Sequence, residues 1–446
     1  MAISPDLCCV VVMALQNLIM ITLLTRTPKG SFMRWICLPS MVYLAYLEGV
    51  LNNLSAATFM FKMRTGGHSF TFLIQLINLL YVTDVDLTTL PNRSKAAFQL
   101  LLTIRGIGTP WQPKNIPPFP AVMQTNPPPG RTQYVVRQLA IIIWQGLFLR
   151  LLAHPRFHPD QSFYNRGQEF SYRLDQWPGR LACTYIIGLI PSYLFLDMMY
   201  RGAAILFVGS GDHSVSQWPP LFGSLADSYT CRGFWGKFWH QYLRWPFSSF
   251  SNCVTTRILK LSRPSLVERY VNVFIVFSLS MIMHMIGDIV AGVEGGAHFG
   301  TALFFLSHIV AIMFEDAVQY VWRTTVTQRS RRRRGPAQTG PEDNQKQKNG
   351  GVNADADTVV PAATTRDDAA VPPLWQRCVG FVWVVLWIAV SWSWWYYPII
   401  RTMIKHGDLS ATSSGKDVVP GWELPTMVGL VAGGAVLLRG VFKAEP

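Results

Sequence analysis

Apolar runs long enough to cross a bilayer recur along this chain, and they constrain its fold more than any other feature. Spanning roughly 30 Å of hydrocarbon takes about 20 helical residues. About nine such runs are legible, near residues 7–24, 36–61, 69–83, 134–152, 181–208, 271–291, 299–321, 376–397 and 425–442. Charge agrees with that reading: 14% of the 446 residues are charged, against about 25% in a soluble protein. The expected fold is an all-α polytopic membrane protein.

Flanking charge gives an orientation. No basic residue precedes the first run and no small-residue cleavage site follows it, so it reads as a retained helix rather than a secretory signal. Arg26, Lys29 and Arg34 lie on its C-terminal side, which by the positive-inside rule puts the N-terminus in the lumen. Threading the helices from there makes loops 25–35, 84–133, 209–270 and 322–374 cytosolic. The last of these carries Arg329, Arg331, Arg332, Arg333 and Arg334. The net charge of +14 is spread over loops beside apolar runs, where it meets anionic headgroups, so the lipid bilayer and not nucleic acid is the expected partner. The seven cysteines show no C-x-x-C or Cys/His ligand spacing, so neither a disulfide framework nor a metal site is expected.

Between Arg329 and Pro373 the aromatic and branched residues give way to Arg, Gln, Asn, Gly, Asp and Ala. This composition predicts a disordered cytosolic linker over 329–373. It divides a membrane core, residues 1–328 with seven helices, from a C-terminal helix pair at 374–446. Trp383, Trp387, Trp392, Trp394 and Trp395 open that pair and are expected to form an interfacial belt without a catalytic role. No internal repeat stands out, which weighs against transporters built from duplicated halves. Two loops, RGIGTPWQPKNIPPFP (Arg105 to Pro120) and FWGKFWHQYLRWPF (Phe234 to Phe247), are dense in Trp, Phe, Pro and Gly and should be ordered. In the second, Trp235, Trp239 and Tyr242 fall at helical spacing, with Lys237, His240 and Arg244 around them. A helix there would lie along the membrane surface and roof a cavity.

Inside the run at 271–291, Ser280, His284 and Asp288 recur every four residues and share one helix face. Ionisable groups at membrane depth cost at least about 2.5–3.5 kcal/mol, so by default they mark a functional site. Asp288 is one turn from His284 and can orient its ring. His308 is the rival proton acceptor, and Glu48, Arg137, Asp197, Arg201, Glu315 and Asp316 are further charges within apolar runs. No P-loop, no G-x-G-x-x-G and no H-x-x-H cluster appears, so ATP-driven transport and di-iron chemistry are disfavoured. A proton path through Ser280, His284, Asp288, His308 and Glu315 is the transporter alternative.

RGIGTPWQPKNIP, then FWGKFWHQYLRW, then a histidine about 45 residues later in an apolar helix resembles the fungal wax-synthase-like branch of the membrane-bound O-acyltransferases, over about residues 70–440. The resemblance implies a helical bundle with an internal cavity in the endoplasmic reticulum membrane. Many members of this branch acetylate terpenoid and meroterpenoid alcohols, while plant relatives make wax esters. It further implies that His284 is the catalytic base. Trp239 and His240 stand where related sterol and diacylglycerol acyltransferases carry a Trp-Asn pair. Acetyl-CoA or another acyl-CoA would be the co-substrate and a lipophilic alcohol the acceptor, with no metal required. His240, Trp239 or Gln241 would hold the thioester. Trp235 belongs to the same segment, and Lys237, Arg244 or Arg105 would meet the phosphates of coenzyme A. A long-chain wax ester synthase is the alternative within this class, and the oligomeric state is not legible.

Overall fold

The computed structural model describes residues 4–102, 105–124, 129–294, 297–334, 372–407 and 423–441. Among these residues all regular structure is helical. Helix α1 spans Pro5–Arg26, α2 Phe32–Leu54, and α3 Phe59–Ile77, which continues as a wide turn over Asn78–Val82. Then follow α4 (Arg93–Leu102), α5 (Arg131–Leu152), the short α6 (Trp177–Leu181) and α7 (Ile190–Ser210), the last two joined by the wide-turned Ala182–Leu189. The remainder are α8 (Cys231–Gly233), α9 (Arg244–Cys253), α10 (Leu266–Ala291), α11 (Ala297–Arg334), α12 (Leu374–His406) and α13 (Glu423–Val441).

The apolar runs are helical over most of their described length, though Ser55–Thr58 splits the run at 36–61 between α2 and α3, and six helices among the described residues are long and apolar enough to cross a membrane. These are Pro5–Arg26, Arg131–Leu152, Leu174–Ser210, Leu266–Ala291, Phe299–Val326 and Leu374–His406. The others fall short for visible reasons. Helix α2 contains Arg34, Pro39 and Glu48, α3 contains Lys62, Arg64 and His68, and the apolar part of α13 is only Leu424–Val436. The buried charges of α2 and α3 are paired: Arg34 donates to Asp84 at 2.8 Å and to the Val85 carbonyl at 2.8 Å, and Glu48 meets His68 Nδ1 at 3.1 Å.

Local sequence explains the helix ends that matter for the site. Ser265 accepts from the Glu268 amide at 3.1 Å and starts α10. Gly292, at φ +73°, stops it in a left-handed turn that a side chain would strain. The Arg-rich run expected to open the linker instead prolongs α11 to Arg334, since arginine is among the better helix formers. The rest of the expected linker, residues 335–371, lies outside the described residues.

Small residues set the packing around α10. A Cβ at Gly287 would come within 2.5 Å of the Met63 carbonyl, and one at Gly66 within 2.8 Å of Val290, so α3 and α10 nearly touch backbone to backbone. Helix α11 packs between α10 and α12. The C-terminal helices are no appended pair. Helix α12 buries Trp392, Trp395, Tyr396 and Ile400 in the same core as Phe277, Phe304 and Ile312. Helix α13 packs on α5, where Trp144 donates to the Val431 carbonyl at 2.9 Å.

Candidate active site

His284 projects from α10 toward α11 and α12. Its ring stacks on Phe305 at 4.9 Å and meets the edge of Trp395 at 4.8 Å. His284 as a residue is only partly buried, whereas Asp288, one turn on, is wholly buried. Asp288 does not hold the His284 ring. Its Oδ2 accepts from Thr301 Oγ1 at 2.7 Å and from Trp395 Nε1 at 3.3 Å. A carboxylate one turn away shares the helix face, but it takes the donors that α11 and α12 offer. Asp288 therefore acts on His284 at one remove, by fixing the indole that packs against it.

His308 occupies a different setting. Its Nδ1 lies 2.7 Å from the Phe304 carbonyl. A carbonyl only accepts, so Nδ1 carries the proton and Nε2 the lone pair. That lone pair has no partner, and the side chain is 0% exposed. Trp235, Phe277, Phe304 and Trp387 enclose the ring at 5.0, 5.9, 4.8 and 6.4 Å. A base must reach the proton it removes. His284 keeps some exposed surface as a residue; His308 keeps none.

The second aromatic loop is brought to His284 by α11. Glu315 accepts from the Cys231 amide at 2.6 Å, from the Arg232 amide at 3.4 Å and from Trp383 Nε1 at 2.9 Å. Its neighbour Asp316 accepts from Arg232 at 2.7 Å, Arg269 at 2.8 Å and the Tyr270 hydroxyl at 2.9 Å. These two carboxylates tie α8 and the following wide turn, Phe234–Phe238, to α10 and α11. The loop is not the single surface helix expected. It breaks at Trp239, whose backbone is extended, and restarts at Arg244. Pro246 tolerates the first turn of a helix but not its interior, and Gly236 weakens the turn before it. Trp235 and Trp239 consequently pack inward, 6.0 Å apart, while Tyr242 is exposed.

His240 follows this break. It packs beside Trp239 at 5.5 Å and Phe222 at 6.0 Å, and its Nδ1 is buried without a partner. It stands within electrostatic reach of His284. Burial pushes its pKa down to about 4, so at neutral pH the ring is uncharged and offers one donor and one acceptor. The structure thus brings together two of the expected site residues, His284 and His240, from segments 44 positions apart.

Three others are braces rather than free ligands. Arg105, 2% exposed, donates to the Pro219 and Pro220 carbonyls at 2.9 Å each and to the Tyr200 hydroxyl at 3.0 Å. Gln241 donates to the Asn115 carbonyl at 2.9 Å, and Arg244 bonds the Gly236 carbonyl. With Trp111 stacked on Trp245 at 5.9 Å, these contacts lock the two aromatic loops into one body. Lys237 differs: it is exposed and lies only loosely by Asp227, at 3.9 Å.

Sequence reasoning missed Trp395, Phe305 and Thr301. The tryptophans of α12 are no simple belt, since Trp392 and Trp395 are 3% and 7% exposed and face α11. Their spacing of three, one helix face, was the available signal.

The comparisons fit this geometry. The profile of the membrane bound O-acyl transferase family matches residues 218–307, which hold both His240 and His284. The chain is 31% identical to the acetyltransferase atnC of an Arthrinium species, over 96% of this chain and 95% of that protein. It belongs to the membrane-bound O-acyltransferase family. The acetyltransferase pyr8 of Aspergillus fumigatus is 33% identical over 84% of this chain and 83% of its own. The acetyltransferase spyB of the same organism is 31% identical over 96% of this chain and 70% of its own. No solved structure matches. This O-acyltransferase is an enzyme, and the transporter reading falls with that assignment.

Proposed function

We propose that this O-acyltransferase moves the acetyl group of acetyl-CoA to a hydroxyl of a lipophilic terpenoid or meroterpenoid alcohol. The geometry that supports the site assignment is His284 packed between Phe305 and Trp395, with the neutral His240 near enough to act on it electrostatically. Relatives named acetyltransferases support the acyl group. His284 removes the hydroxyl proton while the oxygen attacks the thioester carbonyl. The tetrahedral oxyanion collapses, the carbon–sulfur bond breaks, and the departing thiolate of coenzyme A takes the proton back from the imidazolium. His284 ends as it began. His240, neutral and beside the reacting carbonyl, donates to the oxyanion. Of Arg105, Lys237 and Arg244, Lys237 is the exposed one, paired only at 3.9 Å with Asp227, and it meets the phosphates of coenzyme A.

The wider setting belongs to the same proposal: nine spans around an internal cavity, a lumenal N-terminus, and the endoplasmic reticulum as host membrane. Both aromatic loops then face the cytosol, where acyl-CoA is found. The test is ester formation by microsomes bearing wild type, His284→Ala or His308→Ala, given labelled acetyl-CoA or palmitoyl-CoA and a panel of terpenoid and fatty alcohols. General-base catalysis contributes about 10²- to 10⁴-fold, so His284→Ala should lose at least about a hundredfold while His308→Ala keeps turnover. An equally active His284→Ala at wild-type abundance refutes the assignment, and a preference for palmitoyl-CoA selects the wax ester synthase instead.

A further inference from the structure

During transfer the acyl group lies beside His284, because the attacked carbonyl carbon carries it. What surrounds His284 therefore decides how long that group can be. On the α11 side the neighbour is Phe305 and on the α12 side Trp395, 4% and 7% exposed. Behind them Phe304, 1% exposed, lies 4.8 Å from Phe305, 5.2 Å from Trp395 and 5.6 Å from Trp392. Phe304 also meets His308 at 4.8 Å, and His308 meets Trp235 at 5.0 Å. Centroid separations of this size are those of rings in contact. Contacting rings thus fill the space next to Phe305 and Trp395.

The backbones close the same level. A Cβ at Gly300 would sit 2.0 Å from the Trp394 carbonyl, and one at Gly287 2.5 Å from that of Met63. Both seams, α11 against α12 at Gly300 and α3 against α10 at Gly287, are closed within a turn or two of His284 and its ring contacts. Trp392 is seated on a third glycine: a Cβ at Gly188 would reach its Nε1 at 2.5 Å. That indole N–H is buried without a partner. The ring is there for its volume, since its one polar group makes no bond.

We propose that the aromatic slab Phe304, Phe305, Trp392 and Trp395 is an acyl-length stop, with Trp392 as its keystone, which admits an acetyl group beside His284 and excludes longer chains. This rests on the acyl-CoA reading of the site and deepens it: donor specificity is set by filled volume, with no polar selector. Each methylene in an apolar pocket is worth about 10- to 200-fold in discrimination. Emptying one indole should relax the limit by several carbons.

The experiment compares wild type, Trp392→Leu and Trp392→Ala in microsomes, with acetyl-, butyryl-, hexanoyl- and palmitoyl-CoA and one acceptor alcohol that wild type esterifies. In kcat/KM, wild type should prefer acetyl-CoA to hexanoyl-CoA by at least about a hundredfold. The hexanoyl-to-acetyl ratio should rise at least about tenfold in either folded variant. A wild type that uses hexanoyl-CoA as well as acetyl-CoA overturns the stop without recourse to any variant. Acetyl transfer by wild type with an unshifted ratio in both variants overturns the stop and leaves the proposed function standing. No ester from any donor with wild type overturns the proposed function, and the stop with it.

Discussion

Gly300→Ala tests whether the α11–α12 seam positions the catalytic ring. In α11 the added Cβ would lie 2.0 Å from the Trp394 carbonyl oxygen, and real Cβ atoms essentially never approach closer than 3.0 Å. Backbone cannot yield as the end of a side chain can, so the helices must part by about 1 Å. Trp395, the next residue, moves with the carbonyl. Its bond to Asp288 is 3.3 Å long at the start, so the same shift takes it beyond hydrogen-bonding range. The indole then loses its anchor and His284 the edge that packs on it. A misplacement of about 1 Å at a reacting group can cost about a hundredfold in rate. Gly300→Ala should lower acetyl transfer tenfold to about a hundredfold, per molecule of folded enzyme. Fluorescence-detected size exclusion supplies the folded amount and labelled acetyl-CoA the rate. Gly202→Ala in α7, where a Cβ meets nothing within 4 Å, is the control and should be neutral. Activity within about twofold of wild type for Gly300→Ala would refute the reasoning.

Arg105→Ala should act on stability, because it strips the Pro220 carbonyl of its donor and leaves that of Pro219 with the Tyr200 hydroxyl alone. At about 1–3 kcal/mol for each unsatisfied group, the melting temperature in detergent falls, while KM for acetyl-CoA in surviving enzyme is unchanged; a raised KM at normal stability would mean that Arg105 meets the phosphates after all. His240 gives a pH signature. Its pKa is about 4 when folded and near 6.5 when unfolded, so protons favour the unfolded chain. Its contribution to stability is complete above about 6.5 and is lost as pH falls toward 4. Between pH 7.5 and 5 the wild-type melting temperature should drop more than that of His240→Gln, and equal slopes would rule the argument out. Glu315→Gln can no longer bind the Cys231 and Arg232 amides as an anion, and should raise KM for acetyl-CoA more than it lowers kcat; the reverse split would place Glu315 in the chemical step.

How much of this was legible beforehand follows from what sequence can encode. The stripe of His284 and Asp288 stood out because polar groups every four residues in an apolar run have one geometric meaning. The ends of α7, α10 and α12 were marked by Gly211, Gly292 and Gly407, all at positive φ. Burial was not legible. Arg105 in an aromatic loop looks the same whether it meets a ligand or a pair of carbonyls. Trp392 and Trp395 resemble belt residues until α11 is seen to lie against them. Asp288 was expected to orient His284 because proximity along a helix is visible and competing donors on other helices are not. The break at Trp239 was foreshadowed by Gly236 and Pro246, which a count of helical spacing ignores.

Helix α12 has one further consequence. The site draws on two stretches of chain, residues up to Arg334 and residues from Leu374 onward, which meet through non-covalent contacts. Trp383 reaches Glu315, Trp395 reaches Asp288, and Gly380 abuts the Tyr229 carbonyl. How well the two stretches fit is therefore written into α8, α10, α11 and α12 themselves, and a change at Gly380, Trp383 or Trp395 loosens the union as directly as a change at Asp288 or Glu315.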